Sequence, residues 1–193
     1  MSDEQSHHPG EQSKWNQSSH HRIRPYTPTL NASPPVAKNM LPILYSFRRC
    51  PYAMRARWAL LEAGVLVQWR EVGLRAKPVA MLEASATGTV PVLALADGTV
   101  IEASLELMHW ALAQADPRDC LGAGDPDPWV RENDDVFKHH LDRFKYIDRY
   151  PEADRSTHQQ EGRAILKSWN DRIRAAGWLA GERMGLADAA LWP

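Results

Sequence analysis

The fold is decided by the stretch LYSFRRCPYA at residues 44–53. The run Ile43–Phe47 is short, apolar and aromatic, which predicts a β-strand. Pro51 suits the first turn of a helix, because its fixed φ is helical and its missing N–H would have no partner there. Alanines and leucines spaced three and four residues apart continue that helix to Ala63. The stretch therefore predicts a strand that leads into a helix, with Cys50 at the junction.

The residues that follow extend this start into a mixed sheet. Patterning predicts strands over Val65–Val72, 89–95 and 99–101, a short helix over Val79–Ala84 and a longer helix over Ser104–Ala113. Asp97-Gly98 is a two-residue hairpin signal, so the last two strands should run antiparallel. The order β-α-β-α-β-β-α implies an α/β domain over residues 41–115 with helices on the faces of its sheet.

The second half of the chain predicts only helices. Asp-Pro pairs mark a linker over residues 116–128, and amphipathic helices are predicted over Trp129–Tyr150 and Ser156–Ala176. A last helix should begin at Gly185, with Asp188 placed to cap it. Residues 129–193 therefore form an all-α domain in this interpretation.

The first 40 residues differ from the rest. They are poor in apolar side chains and rich in His, Pro, Ser and Gln, a composition that cannot bury enough surface to order itself. We interpret them as a disordered extension in which the pairs His7-His8 and His20-His21 are solvated. His139-His140 lies on a helix with Arg143 and Phe144 where a metal ligand would be needed, so a solvated surface and no metal site are expected.

Composition excludes several classes of protein. Hydrophobic residues make up 44% and charged residues 24%, as in ordinary globular domains, and the net charge of −1 argues against a nucleic-acid binder. The apolar runs are far shorter than the roughly 18 residues that cross a membrane. The two cysteines are too few for a disulfide-stapled fold, and residues 1–40 show no secretory signal, so a cytoplasmic location is expected.

Cys50 is the main candidate for chemistry. Free N–H groups at the start of a helix favour an anion, and Arg48, Arg49 and Arg55 add positive charge nearby, so the reactive thiolate is favoured. Ala53 stands where a C-x-x-C pair would have its second thiol, which leaves exchange with a small external thiol. The alternative is an inert thiol that is buried in the core as a small hydrophobic side chain, and for Cys120 we expect a structural role of this kind.

Val90-Pro91 is the second feature. A proline entering a strand opposite a cysteine loop is often cis, which would turn the Val90 backbone toward an extended ligand. The alternative is a trans proline at the start of a strand.

Taken together, these motifs resemble the glutathione S-transferases. The resemblance rests on residues 44–53, on TVPVL at 89–93 and on IEAS at 101–104, and Cys-Pro-Tyr-Ala is similar to the site of the cysteine-type, omega-like members, themselves similar to glutaredoxins. WLAG at 178–181 with LADAAL at 186–191 resembles a late capping segment of the family. The resemblance implies a thioredoxin-like N-terminal domain and a helical C-terminal domain that lacks the family's last helices, as in a truncated chain.

The resemblance also implies a site for glutathione as cosubstrate. Cys50 would face the glutathione sulfur, Val90 would pair its backbone with the cysteinyl part beside cis Pro91, and Lys77 would reach the glycyl carboxylate. Ser104, at the start of a helix, would hold the γ-glutamyl carboxylate.

The sequence departs from the family pattern at Ala103. The family has an acidic residue there, whose carboxylate meets the ligand's ammonium. Loss of such a charge-assisted contact costs on the order of 1.5–3 kcal/mol, or about ten- to a hundredfold in affinity. Glu102 is the neighbouring candidate for glutathione binding, although adjacent side chains diverge.

The function implied is glutathione-dependent thiol transfer, disulfide reduction or conjugation through Cys50, with a small electrophilic or disulfide substrate. A homodimer is the usual assembly of the family. The alternatives are a non-catalytic binding or stress-associated module that keeps the fold, and a truncated gene product of low stability.

Overall fold

The structure, a computed structural model, describes residues 40–193. Disorder is predicted for residues 1–40, of which all but Met40 lie outside the described residues. The pairs His7-His8 and His20-His21 also lie outside them.

A four-stranded mixed sheet forms the first part of the described chain. Its strands are β1 (Ile43–Ser46), β2 (Gln68–Glu71), β3 (Val92–Ala94) and β4 (Val100–Ile101). They lie in the order β2-β1-β3-β4, with β1 parallel to β2 and antiparallel to β3, and β3 antiparallel to β4. Thr99 N donates to Asp97 Oδ1 at 2.8 Å inside the predicted hairpin, where Gly98 has φ +88°. The predicted mixed sheet is confirmed.

Three helices cover this sheet: α1 (Pro51–Glu62), α2 (Val79–Ala84) and α3 (Ser104–Gln114). Leu44 and Leu93 are register partners on one face, where they pack with α1 and α3. Tyr45 and Val92 share the other face with Met81 of α2. Helices therefore lie on both faces, as the element order predicts. The α2 bounds agree with the prediction, whereas β2 is shorter because residues 65–67 approach the sheet without pairing in it.

The second part of the described chain is helical. It contains α4 (Asp127–Arg131), a π-helical turn (Glu132–Phe137), α5 (Lys138–Lys145), a 3-10 turn (Ile147–Arg149), α6 (Arg155–Ala176) and α7 (Leu186–Leu191). The prediction of one uninterrupted helix over Trp129–Tyr150 is wrong. The wider turn at Glu132–Phe137 breaks the α-helical hydrogen-bond pattern, and Tyr146 leaves the helical region with φ −114° and ψ 63°.

Asp188 caps α7 as predicted. One carboxylate oxygen accepts from Gly185 N at 2.9 Å and the other accepts from Leu179 N at 2.7 Å. Leu186 and Ala190 of α7 pack in the same core cluster as α1 and α3. The capped helix α7 therefore joins the helical part of the chain to the sheet domain. Among residues 40–193, no helix has the length and apolar character that crossing a bilayer requires.

Candidate active site around Cys50

Cys50 is the N-cap residue of α1, immediately before Pro51. Its N–H donates to Phe47 O at 3.0 Å, and its carbonyl accepts from Met54 N at 2.9 Å, so its backbone is fixed on both sides. Its thiol is not part of a disulfide, and the residue is 6% exposed. The sulfur therefore sits at the start of a helix, where backbone N–H groups favour a negative charge, and presents only a small surface.

Arg57 fixes the loop that carries Cys50. Its guanidinium donates to Ser46 Oγ at 2.8 Å, to Phe47 O at 3.2 Å and to Arg48 O at 2.9 Å. Arg48 N in turn donates to Glu71 Oε1 at 2.8 Å, which lowers the pKa of that carboxyl group. Sequence reasoning missed Arg57; its position on α1, facing the loop, becomes apparent only once the strand and helix pack.

The Val90-Pro91 peptide bond is cis, as predicted. The Cys50 Sγ lies 3.8 Å from Val90 O, across 40 residues of sequence. The structure thus brings together two of the predicted site residues, Cys50 and Val90, at one end of the two central strands, β1 and β3.

Ser104 begins α3 and is buried at 6% exposure. Its hydroxyl accepts a hydrogen bond from Arg55 Nε at 2.9 Å. Arg55, 4% exposed, also donates through its terminal nitrogens to the Asp134 carboxylate at 3.0 and 3.4 Å. Arg55 is therefore not the free positive charge that the sequence suggests; it links Ser104 to the helical part of the chain.

A buried ionic network extends from Asp134. Lys138 Nζ lies 3.3 Å from Asp134 Oδ1 and 3.7 Å from the centroid of the Tyr52 ring. Burial alone would raise the pKa of Asp134, but Arg55 and Lys138 more than offset it and hold that pKa below its usual range. Burial and the Asp134 carboxylate together raise the pKa of Tyr52 above its ordinary value.

The remaining predicted site residues are less enclosed. Ala103 is exposed and caps α3 without a side-chain hydrogen bond. Glu102 Oε1 accepts from Thr87 Oγ1 at 3.4 Å, so this carboxylate faces the loop before Val90. Lys77 is exposed, and its Nζ lies beside Gly88, in the loop that precedes Val90.

Cys120 and the histidines lie apart from this site. Burial and the Asp116 carboxylate raise the pKa of the Cys120 thiol to about 11. His139 is exposed, as predicted, whereas His140 is half-buried and its Nδ1 lies 2.9 Å from Nδ1 of His158 on α6. Within residues 40–193, no group of three His, Cys, Asp or Glu is arranged to hold a metal ion.

Residues 44–119 match the family model of the glutathione S-transferase N-terminal domain. Residues 44–119 therefore form a domain of the glutathione S-transferase N-terminal type. The match covers the sheet, α1 to α3 and the Cys50, Val90 and Ser104 positions. No curated protein sequence matches the chain.

Solved glutathione transferases share the fold of this chain at low sequence identity. Glutathione transferase Omega 3C from Trametes versicolor is 22% identical, with a TM-score of 0.60 over 82% of this chain and 71% of that one. Glutathione S-transferase unclassified 2 from Bombyx mori is 13% identical, with a TM-score of 0.66 over 79% and 75%. Glutathione S-transferase I from mais, solved with an atrazine glutathione conjugate, is 18% identical, with a TM-score of 0.62 over 78% of each chain. These likenesses establish a thioredoxin-like domain followed by a helical part.

Proposed function

We propose that the chain is a cysteine-type, omega-like glutathione S-transferase that carries out glutathione-dependent thiol transfer through Cys50. The observation that supports it most directly is the position of the Cys50 sulfur, at the start of α1 and 3.8 Å from the carbonyl of Val90 at a cis proline. A thiol there can attack a sulfur held by an extended peptide that pairs with the Val90 backbone.

The reaction proceeds in two exchanges. The Cys50 thiolate attacks the glutathione sulfur of a mixed disulfide GS–S–R; a bond forms between Cys50 and that sulfur, the S–S bond breaks, and RS⁻ leaves and takes a proton from water. A second glutathione thiolate then attacks the glutathione sulfur on Cys50, which releases GSSG and regenerates the Cys50 thiolate. The sum is GS–S–R + GSH → GSSG + RSH, with no second protein thiol required.

Glutathione would lie between Val90 and the start of α3. The Ser104 N–H and hydroxyl would meet the γ-glutamyl carboxylate, and the buried Arg55 guanidinium behind that hydroxyl supports a negative ligand group. Lys77 would reach the glycyl carboxylate. Glu102 would contribute least to glutathione binding, because its carboxylate faces Thr87.

Mass spectrometry after treatment with oxidised glutathione tests this proposal. We expect one glutathione adduct on the unmodified protein and on Cys120→Ser, and none on Cys50→Ser. Cys120 is the matched control, because it is the other free thiol. Absence of an adduct, or an adduct confined to Cys120, would overturn the proposal.

Conjugation of glutathione to an electrophile is the neighbouring activity. It is separated from thiol transfer by assaying both reactions in Cys50→Ser. Thiol transfer is expected to be lost, since its first step uses the sulfur of that residue, whereas conjugation needs only a glutathione thiolate held in place.

A non-catalytic binding module is a second candidate, favoured by the 6% exposure of Cys50 and by the missing carboxylate at Ala103. Calorimetric titration with reduced glutathione separates the two. Binding weaker than about millimolar, and unchanged in Cys50→Ala, would favour the module.

Two further expectations belong to the same proposal. A reducing, cytoplasmic environment agrees with two unpaired cysteines. The homodimer that is usual in the family is open to a direct test by sedimentation of the intact chain.

A further inference from the structure

Lys138 brings a half-buried cation from the helical part to the first turn of α1. Its Nζ lies 3.7 Å from the centroid of the Tyr52 ring, and Tyr52 is two residues after Cys50. The Lys138 side chain is 16% exposed, so it is neither sealed in the core nor free in solvent. An ammonium beside Tyr52 that is partly open to solvent can contact a molecule that binds at the first turn of α1.

Lys138 and Arg55 pair with the same carboxylate, that of Asp134. The Asp134 carboxylate accepts from Lys138, from the Arg55 guanidinium and from the Asn133 amide at 2.7 Å. Asp142, one turn further along α5, is within electrostatic range of Tyr52. The buried Arg55 and the half-buried Lys138 thus share one carboxylate, and this excess of positive charge favours a further anion.

The titration of Lys138 agrees with this geometry. Burial lowers the pKa of Lys138, and the positive charge of Arg55 adds to that effect, while the Asp134 carboxylate opposes it. A negative charge on Cys50 also raises the pKa of Lys138, because the ammonium lies within electrostatic range of the reacting sulfur.

We propose that Lys138 makes the site selective for disulfides whose leaving thiol carries a carboxylate or a similar anionic group. This inference rests on the proposed thiol transfer. The residues assigned to glutathione lie at Val90, Lys77 and the start of α3, whereas Lys138 comes from α5 and reaches the first turn of α1. The anion that Lys138 recognises is therefore assigned to the second substrate and not to glutathione.

Three mixed disulfides of glutathione that differ only in the end group of the leaving thiol test this selectivity. Their thiols are 3-mercaptopropionate, 2-mercaptoethanol and cysteamine, which are anionic, neutral and cationic and similar in size. Each kcat/KM is divided by the rate of uncatalysed exchange with glutathione, which removes differences in leaving-group reactivity. We expect the anionic substrate to exceed the neutral one by about tenfold, as for one charge-assisted hydrogen bond, and the cationic one to be slowest.

Three variants locate the effect. Lys138→Met should bring the three values to within about twofold of one another, and Lys138→Arg should keep their order because it keeps the charge. Lys145→Met removes the same charge from the exposed end of α5 and should leave the order intact.

Several results would overturn the inference. Equal values for the three substrates with the unmodified protein would do so without any variant, even if Lys138→Met fails to fold. An order that persists in Lys138→Met would do the same. If Lys138→Met raises the KM for glutathione equally with all three substrates, the anion that Lys138 recognises belongs to glutathione itself. Activity that survives in Cys50→Ser would instead refute the proposed thiol transfer.

Discussion

Arg55 Nε donates a hydrogen bond to Ser104 Oγ at 2.9 Å, and the far end of the same guanidinium pairs with Asp134. One buried side chain therefore joins α1, the start of α3 and the π-helical turn. The stability of the fold and the position of the proposed carboxylate site depend on the same residue.

Arg55→Met is expected to lower the free energy of unfolding by about 2–3 kcal/mol, because it leaves Asp134 and Ser104 without their main donor in a mostly buried place. Urea unfolding measures the change. Arg118→Met is the control: that arginine is 62% exposed in its pair with Glu62, so its loss should cost less than about 1 kcal/mol. A loss for Arg55→Met no larger than that of the control would show that the network contributes nothing to stability.

The cap of α7 is a second determinant of stability. Asp188→Ala removes the acceptor of the Gly185 and Leu179 N–H groups and should cost about 1–2 kcal/mol. Asp188→Asn should cost less, since its amide oxygen still accepts one of these bonds. Asp171→Ala, which removes an exposed carboxylate from α6, is the control in the same unfolding assay. Equal losses for Asp188→Ala and Asp171→Ala would contradict the cap.

Much of the fold follows from local rules in the sequence. Pro51 at the start of α1 and the Asp97-Gly98 hairpin are each set by the backbone preferences of a few neighbouring residues, and a proline that enters a strand opposite Cys50 is the signal for the cis bond at Val90-Pro91. Sequence reasoning could therefore place Cys50 at a strand-to-helix junction and Val90 opposite it.

The buried ionic network could not be predicted in this way. Arg55 meets Ser104 across 49 residues and Asp134 across 79, and the π-helical turn shifts the register that a regular helix would give. Asp134 and Lys138 therefore look like parts of a solvated charged face until the two parts of the chain are packed together. His158 joins His140 for the same reason, because two separate helices supply them.

The histidine cluster between α5 and α6 should make stability depend on pH. Burial lowers the pKa of His139, and Arg143, His140 and His158 lower it further, while Asp142 opposes them. As the pH falls below about 6.5, the unfolded chain takes up this proton before the folded one, so stability that is present near neutrality is lost in acid.

Thermal melts between pH 8 and pH 5 test this (roughly the range in which histidine changes charge). We expect the melting temperature to fall with pH, and the fall to be smaller in His158→Gln, which removes a neighbouring ring that can carry charge. A melting temperature that is flat across the range, or a fall that is the same in the variant, would contradict the role assigned to the cluster.

Ala103→Glu is expected to strengthen binding of reduced glutathione. The exposed N-cap position of α3 adjoins Ser104, and a carboxylate there can meet the ammonium of the γ-glutamyl group. The gain should be about ten- to a hundredfold, the value of one charge-assisted contact. Isothermal calorimetry at constant ionic strength measures it, with the des-amino analogue of glutathione as a second ligand whose affinity should not rise. Ala113→Glu adds the same charge at an exposed position near the other end of α3 and should change neither affinity. Equal gains for both ligands would mean that the new carboxylate acts through something other than the ammonium, and no gain at all would remove the start of α3 from the proposed glutathione site.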